Sequence, residues 1–262
     1  MSDKADVSRP TVVITGAPNW AEAAAQKLRE LTYTPIRYME RAGYVARLAD
    51  DGAALILVDG DDPDWRFWAV TPRTSPATRR IPIIFVTDDA ALRQVALTSG
   101  ANLALTPAQL SAQLPGLLET LARVPDPAQV ARMDEQCRQA LPPDALEAVR
   151  RFNAGEYYKQ HDLFEALWMQ ETGPVRDLYR AVLQVGIAYY QITRGNGRGA
   201  HKMLLRSVQW LALLPDVCQG VDIAALRADA ARVRAELERL GTDSIEGFDL
   251  SLLKPVRLVG DA

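Results

Sequence analysis

Hydrophobic residues follow two different patterns along the chain. Between residues 11 and 123, short runs rich in aliphatic and β-branched residues alternate with segments whose apolar residues recur at helical spacing. The predicted strands are TVVIT, TPIRYM, AALILVD, IPIIFV and NLAL. The predicted helices between and after them cover about residues 19 to 31, 40 to 50, 63 to 70, 88 to 99 and 107 to 122. This alternation predicts a parallel five-stranded sheet with helices on both faces.

A layer of this kind is typical of flavodoxin-like folds, in which a ligand lies at the carboxyl ends of the strands. The strand pattern ends at residues 124 to 143, where prolines bound one helical run. Because proline stops a helix from continuing, we expect this segment to be a helical connector at a domain boundary. At the other end of the chain, the polar residues 1 to 10 are predicted to be disordered.

From residue 144 the strand pattern disappears and helical spacing continues to residue 240. The predicted helices cover about residues 144 to 154, 156 to 171, 174 to 193, 198 to 213 and 222 to 240. Short connections between helices favour antiparallel neighbours, so this half is predicted to be an all-α helical bundle. The tail, residues 241 to 262, has apolar residues without a clear period, and we expect it to lie over a domain surface.

Composition and charge exclude several classes of function. The chain has 262 residues, 48% hydrophobic and 24% charged, which is ordinary for a globular protein of two domains. A net charge of −3 offers no general attraction to nucleic acid, and no apolar run has the length of a membrane span, so neither nucleic acid nor membrane is an expected partner. The polar N-terminal residues lack the apolar core of a signal peptide, so we expect a cytoplasmic protein.

The cysteines, Cys137 and Cys218, stand far apart and show neither a redox pair nor a zinc-binding spacing. Both are predicted to be reduced thiols.

One helix concentrates the candidate chemistry. In FNAGEYYKQHDLFEALW, residues His161, Glu165 and Trp168 are spaced four and three apart, which places them in one column on a helix. The next helix presents a second polar column that includes Asp177 and Gln184. If the columns face each other, these groups converge as they do in metal sites of helical bundles.

Three interpretations of this column stay open. Imidazole and carboxylate suit a divalent metal such as Zn, Fe, Mn or Ni, with His161 and Glu165 as ligands, although they are too few for a closed structural zinc site. A buried hydrogen-bonded network needs no ligand. A metal-dependent hydrolase would use Glu165 as general base, but no nucleophile motif supports it.

The turn RGNGRGAHKMLLR combines glycines with cations at the start of a helix. Free backbone N–H groups and positive charge make Asn196 and Arg198 candidates for binding an anionic ligand. The competing interpretation is a tight turn between helices with its cations in solvent.

The spacing of His161, Glu165 and Trp168 matches H-x-x-x-E-x-x-W, so the helical half resembles the DUF309 family, a domain of unknown function. The resemblance covers about residues 146 to 240 and includes the Gly-Asn-x-x-Gly-Ala turn that begins at Gly195. Members of this family are described as small helical bundles, and their motif is suggested to bind metal. The resemblance implies a fold and a candidate site, and it implies no reaction.

The first half resembles a response-regulator receiver domain. Asp59 closes the third strand, as the phosphoacceptor does in that family, and Thr87 stands at the switch position. The acidic pair expected after the first strand is replaced by Thr15-Gly16-Ala17, and Thr106 replaces the expected lysine. Because phosphoryl transfer depends on metal and cation neutralising the transferred group, we interpret this half as a degenerate receiver and the aspartates after Asp59 as a solvated loop.

These observations predict a regulatory or interaction protein whose helical domain binds a metal or small ligand at His161 and Glu165. The alternative is a metal-dependent hydrolase centred on the same residues. The expected partner is a small ligand or an unidentified protein, with a homodimer as one option.

Overall fold

The computed structural model describes residues 9 to 260, so residues 1 to 8 of the predicted disordered segment lie outside the described residues. The chain divides into two compact units, Met1–Val124 and Pro125–Ala262. Among the described residues, none of the helices combines the length and the apolar character needed to cross a bilayer.

The first unit alternates strands and helices. Its strands are β1 (Thr11–Thr15), β2 (Thr34–Tyr38), β3 (Ala53–Asp59), β4 (Ile83–Val86) and β5 (Leu103–Leu105). Its helices are α1 (Ala21–Glu30), α2 (Tyr44–Asp50), α3 (Trp65–Thr74), α4 (Ala90–Thr98) and α5 (Pro107–Leu121). All strands pair in parallel in the order β2-β1-β3-β4-β5. This order is that of flavodoxin-like folds, so the predicted fold class is confirmed.

Each face of the sheet has its own core, because successive residues of a strand point to opposite faces. Ile14, Leu57 and Val86 pack with residues of α1 and α5 on one face. Ile56 and Phe85 pack with residues of α2, α3 and α4 on the other. The central strand β3 is buried along its whole length, which explains its continuous run of apolar residues.

Helix α3 continues beyond the predicted end at residue 70 and includes Pro72. Proline cannot donate the helical hydrogen bond to the carbonyl of Trp68. The hydroxyl of Tyr44 donates to that carbonyl instead, at 3.1 Å. Helix α3 therefore extends past Pro72, although proline usually ends a helix.

The second unit is helical. Its helices are α6 (Pro127–Cys137), α7 (Pro143–Asn153), α8 (Tyr157–Gln170), α9 (Arg176–Thr193), α10 (Gly197–Leu211) and α11 (Ile223–Leu240), with the short strands β6 (Val217–Cys218) and β7 (Val221–Asp222) between the last two helices. Helix α9 packs against both α8 and α10. The rings of Phe152, Tyr157 and Tyr189 contact one another, with centroids 5.4 to 5.6 Å apart, and join α7, α8 and α9.

The segment predicted to be a connector contains α6, whose Met133 and Cys137 are buried in the core of the second unit. The tail also lies on this unit. Asn153 exchanges two hydrogen bonds with the backbone of Val256, and Leu258 forms a β-bridge with Val221. These backbone contacts hold a segment in which the sequence shows no period.

The two cysteines form a disulfide bond between residues 81 positions apart, Cys137 in α6 and Cys218 in β6. The prediction of free thiols is therefore wrong. Sequence spacing gave no sign of this pair because α6 and β6 meet only through tertiary packing. Next to the disulfide, the N–H of Gln219 donates to the carbonyl of Cys137 at 2.6 Å, and Tyr179 donates to the Gln219 side chain at 3.0 Å.

Candidate functional site

The predicted column on α8 begins at His161, whose ring lies at the surface of the helix. Its side chain is 28% exposed, and Nδ1 lies 3.2 Å from a carboxylate oxygen of Asp162. The ring also stacks on Tyr158, with centroids 6.2 Å apart. Glu165, one turn further along, is partly buried. The observed contacts of the histidine are therefore with residues of its own helix.

A metal ion needs more than this pair to be held firmly. Within residues 9 to 260, no group of three or more histidine, cysteine, aspartate or glutamate side chains is arranged to hold a metal ion. His161 and Glu165 thus have no third ligand of these types, and the donor set does not fit a resident metal. Their assignment as ligands stays a prediction.

At the other end of the column, Trp168 takes part in a stack that spans three helices. The guanidinium of Arg180, from α9, lies 4.4 Å from the ring centroid of Trp168 and 4.2 Å from that of Trp210, which belongs to α10. The charge is therefore held between two aromatic faces, an arrangement that is favourable electrostatically. The spacing of the polar positions on α8 and α9 did not predict the participation of Arg180 and Trp210.

Two further residues of α9 complete this group. The guanidinium of Arg176 lies 5.8 Å from the centroid of Trp168. The carboxylate of Asp177 lies 3.7 Å from Arg180. Burial raises the pKa of Asp177 above the usual range of an aspartate, while the charges of Arg180 and Arg176 oppose the shift. We name Trp168, Arg176, Asp177, Arg180 and Trp210 the Arg180 cluster; its charged side chains are two cations and one carboxyl.

Several polar atoms of this cluster are buried and have no hydrogen-bond partner among the described residues. They are the indole nitrogens of Trp168 and Trp210 and Nε of Arg176. All three carry an N–H and can only donate. An acceptor-rich group, such as an oxyanion, has the chemistry that would satisfy them.

Gln184 lies on the same face of α9 as Asp177 and Arg180, since it is spaced seven and four residues from them. Gln184 is 6% exposed, and its Oε1 has no hydrogen-bond partner within the described part of the chain. Gln160 of α8 is fully buried where α8 packs against α9, and its side chain donates to the carbonyl of Tyr157 at 2.9 Å. A Cβ atom on Gly186 would lie 2.4 Å from the Gln160 side chain, so glycine permits the close approach of α8 and α9.

The predicted anion-binding turn has internal partners. Asn196 caps α10 by accepting from the N–H of Gly199 at 2.9 Å, and it donates to Gln191 at 2.8 Å. Arg198 forms an exposed ion pair with Asp243 at 2.5 Å. These contacts account for both side chains without a ligand. The assignment of Asn196 and Arg198 to ligand binding stays a prediction.

In the first unit, polar residues meet at the carboxyl ends of β3 and β4. Asp59 is 6% exposed and accepts from the N–H of Asp61 at 3.0 Å. Thr87 donates to the carboxylate of Asp61 at 2.6 Å. Burial raises the pKa of Asp59, and the nearby charges of Asp61 and Asp62 raise it as well. The aspartates that follow Asp59, interpreted from sequence as a solvated loop, therefore pack partly against it.

Two positions explain why this cluster lacks the receiver chemistry. A Cβ atom on Gly16 would lie 2.8 Å from a carboxylate oxygen of Asp62 and 3.1 Å from one of Asp59, and the φ of Gly16 is +69°. An acidic side chain here would require these carboxylates to move and would hold its backbone in a strained left-handed conformation. At the end of β5, the hydroxyl of Thr106 accepts from the N–H of Gln109 and caps α5. Thr106, which stands where the receiver family has a lysine, therefore serves as a helix cap.

Comparisons with known proteins match part of the helical half to a described family. Residues 145–203 match the model of a family described as a domain of unknown function, DUF309. The resemblance predicted for the helical half is confirmed over these residues. A curated relative from Aquifex aeolicus (strain VF5), named "Uncharacterized protein", is 24% identical over 83 residues. The alignment covers 31% of this chain and 25% of the relative, so the chain spans about a quarter of the relative's length.

Solved structures similar to this chain include receiver domains. The receiver domain of a Francisella response regulator has a TM-score of 0.37 and 16% identity, covering 43% of this chain and 95% of that chain. The receiver domain of a signal transduction histidine kinase from Syntrophus aciditrophicus has a TM-score of 0.36 and 21% identity, covering 45% of this chain and 96% of that chain.

Proposed function

We propose that the protein is a non-catalytic regulatory protein whose helical unit binds a small anionic ligand at the Arg180 cluster. The flavodoxin-like unit would take part in regulation without phosphoryl transfer. This proposal replaces a metal with an anion as the ligand of the helical unit.

The observation that carries the proposal is the set of buried N–H groups without partners around Arg180. Trp168, Trp210 and Arg176 each contribute one such donor. A buried donor without a partner costs free energy, and a ligand oxygen that accepts from it removes that cost. The guanidinium groups of Arg176 and Arg180 beside Trp168 also favour a negatively charged ligand.

The test is an anion titration of the full-length protein at constant ionic strength. Inorganic phosphate, pyrophosphate and citrate are added separately, and binding is followed by tryptophan fluorescence and by the melting temperature. We expect saturable binding of at least one anion. Trp168→Phe and Trp210→Phe keep a ring beside Arg180 and remove one donor each, so both should weaken binding.

The decisive variant is Arg176→Gln, with Arg194→Gln as its matched control, since Arg194 is exposed just after the same helix. A hydrogen bond to a charged group contributes about 1.5 to 3 kcal/mol, so Arg176→Gln should weaken binding by roughly 10-fold to 100-fold. Arg194→Gln should leave the affinity unchanged. Equal losses in both variants, or no saturable response to any of the three anions, would overturn the proposal.

The metal prediction is tested in the same assay. Zn²⁺ and Mn²⁺ are added to protein treated with EDTA, and His161→Ala is compared with wild type. A metal-dependent rise in melting temperature that is lost in His161→Ala would favour a metal site over the proposed anion site.

The cytoplasmic location also stays a proposal, and the Cys137–Cys218 bond bears on it. Disulfide bonds are rare in the cytosol of mesophiles, although the intracellular proteins of hyperthermophiles are an exception. Intact-mass measurement of protein whose thiols are alkylated during lysis would show whether the bond is present in the cell.

A further inference from the structure

A groove lies on the surface of the flavodoxin-like unit, between α1 and α5. Its volume is about 420 Å³, which is within the range of small-molecule sites. On α5 the lining residues Pro107, Leu110, Ser111 and Leu114 recur at helical spacing, so they share one face of the helix. The groove therefore runs along two facing helix surfaces.

Small residues leave this space open. Ala23 and Ala24 line the α1 side and Ser111 lines the α5 side. The floor is apolar, since Trp20, Ala24, Leu110 and Leu114 are all buried. A floor of this kind accepts an aromatic or branched side chain and would stabilise it by removing apolar surface from water.

One floor residue has an unsatisfied polar group. Trp20 is 9% exposed, and its indole N–H is buried without a hydrogen-bond partner in the described part of the chain. A buried donor of this kind is uncommon in folded proteins. A ligand acceptor atom, such as a carboxylate oxygen, would satisfy it.

The rim carries one charge of each sign. Lys27 and Glu30 both line the groove, and their charged groups form an exposed ion pair at 3.0 Å. An exposed pair of this type contributes little to stability, so a ligand can replace it at small cost. A ligand with both an ammonium and a carboxylate group would meet both charges, whereas a ligand with one charge would leave one of them unmatched.

We propose that this groove binds a small zwitterion with a bulky apolar side chain, an aromatic α-amino acid being the simplest example. The apolar side chain would lie against Leu110 and Leu114. The carboxylate would lie on the side of Trp20 and Lys27, where one oxygen can accept from the Trp20 indole N–H, and the ammonium group would meet Glu30. This site is independent of the Arg180 cluster, because its lining residues belong only to the first unit.

The test follows the indole N–H signal of Trp20 by NMR in the full-length, ¹⁵N-labelled protein. Trp20→Phe assigns this signal among those of the five tryptophans. Four probes share a benzyl group and differ in charge: L-phenylalanine, 3-phenylpropionate, phenethylamine and benzyl alcohol. We expect a saturable shift with L-phenylalanine and at least tenfold weaker binding of the other three. No saturable shift with L-phenylalanine, or equal binding of benzyl alcohol, would overturn the proposal.

Filling the groove gives a second test. Ala23→Leu and Ser111→Leu place a large side chain in the open space and should each abolish the shift. Ala112→Leu is the matched control, because Ala112 is an exposed neighbour on α5 that does not line the groove. Unchanged binding in both groove variants would contradict the proposed location. If one variant fails to fold, the other decides the outcome, with the strand amide signals reporting the fold.

Discussion

The strand ends of the flavodoxin-like unit and the Arg180 cluster of the helical unit both gather polar side chains, but they differ in how those groups are satisfied. At the strand ends, Asp59 accepts a backbone N–H and Asp61 accepts from Thr87. In the Arg180 cluster, the indole N–H groups of Trp168 and Trp210 have no partner among the described residues.

The difference follows from the backbone around each cluster. Residues in a turn have free N–H groups, which nearby aspartate and threonine side chains can accept. Within a helix the backbone carbonyl groups already accept from N–H groups four residues later, so an indole or guanidinium N–H packed between helices finds few free backbone acceptors. Polar side chains on packed helices therefore depend on one another, on water or on a ligand. By this reasoning the helical unit, rather than the strand ends, has the greater unused capacity for binding.

The largest expected difference between the two units concerns the disulfide bond. Replacing Cys137 and Cys218 by alanine should lower the free energy of unfolding of the second unit by about 4 kcal/mol, because the bond closes a long loop in the unfolded chain. Amide hydrogen exchange should become faster in α7 to α11 and stay unchanged in β1 to β5. Reduced wild-type protein is the control for the substitutions. Equal acceleration in both units would show that they unfold together.

The next largest difference in the free energy of unfolding is expected when one glycine in each unit is replaced by alanine. In Gly186→Ala the new Cβ would lie 2.4 Å from Gln160 and 3.1 Å from Phe152, so the free energy of unfolding should fall by about 1 to 3 kcal/mol. Gly116→Ala in α5 is the matched control, since no atom lies within 4 Å of its added Cβ.

Alanine is the better helix former, so Gly116→Ala should raise stability by about 0.5 to 1 kcal/mol. Urea denaturation measures both changes. Changes of the same sign would contradict the close approach of α8 and α9 at Gly186.

A smaller effect is expected for Asp59→Asn, and it depends on pH. Burial raises the pKa of Asp59 in the folded protein. The folded state therefore binds more protons than the unfolded state between the two pKa values, and the free energy of unfolding falls as pH rises through that window. Asparagine keeps an oxygen that accepts from the N–H of Asp61. Because its side chain does not ionise, the variant should not lose stability as pH rises through that window.

The variant should therefore be more stable than wild type at neutral pH, and the difference should shrink as pH falls towards about 4, near the pKa of an unperturbed aspartate. Urea titrations at a series of pH values measure it. Asp88→Asn, an exposed carboxylate after β4, is the control. A difference that is constant with pH would contradict the raised pKa.

No effect at all is expected from acetyl phosphate and Mg²⁺. Gly16 supplies no acidic side chain beside Asp59, and Thr106 is a helix cap. The flavodoxin-like unit therefore lacks the groups that neutralise a transferred phosphoryl group. Intact-mass measurement should detect no adduct. A stoichiometric adduct that is lost in Asp59→Asn would show that this unit is an active receiver.

Much of the fold could be predicted from the sequence. The bounds of β3 were predicted correctly, because its apolar run ends at Gly52 and Gly60. The end of α3 was not predicted correctly, because the hydroxyl of Tyr44 makes the hydrogen bond that Pro72 cannot make. Local pattern determines where an element can begin and end, but a distant side chain can extend it.

The candidate site was less predictable for a related reason. Trp168 and Asp177 were candidates by their spacing on single helices. Arg180 contacts Trp168 because α8 and α9 pack together, and α10 adds Trp210 on the other side of the guanidinium. The disulfide bond was missed in the same way, since α6 and β6 meet through packing over a long sequence separation. Groups that depend on which helices become neighbours carry no signal in the spacing along one helix.

The disulfide bond also determines how the chain responds to mechanical force. If the two ends of the protein are pulled apart, tension passes through the covalent bond between Cys137 and Cys218 and bypasses the 81-residue separation that it closes. The backbone of helices α7 to α10 then cannot be extended, and about 280 Å of contour length stays hidden from a force-extension measurement. A thiol reductant would release this length, so these helices could be drawn out into extended chain only after the bond is reduced.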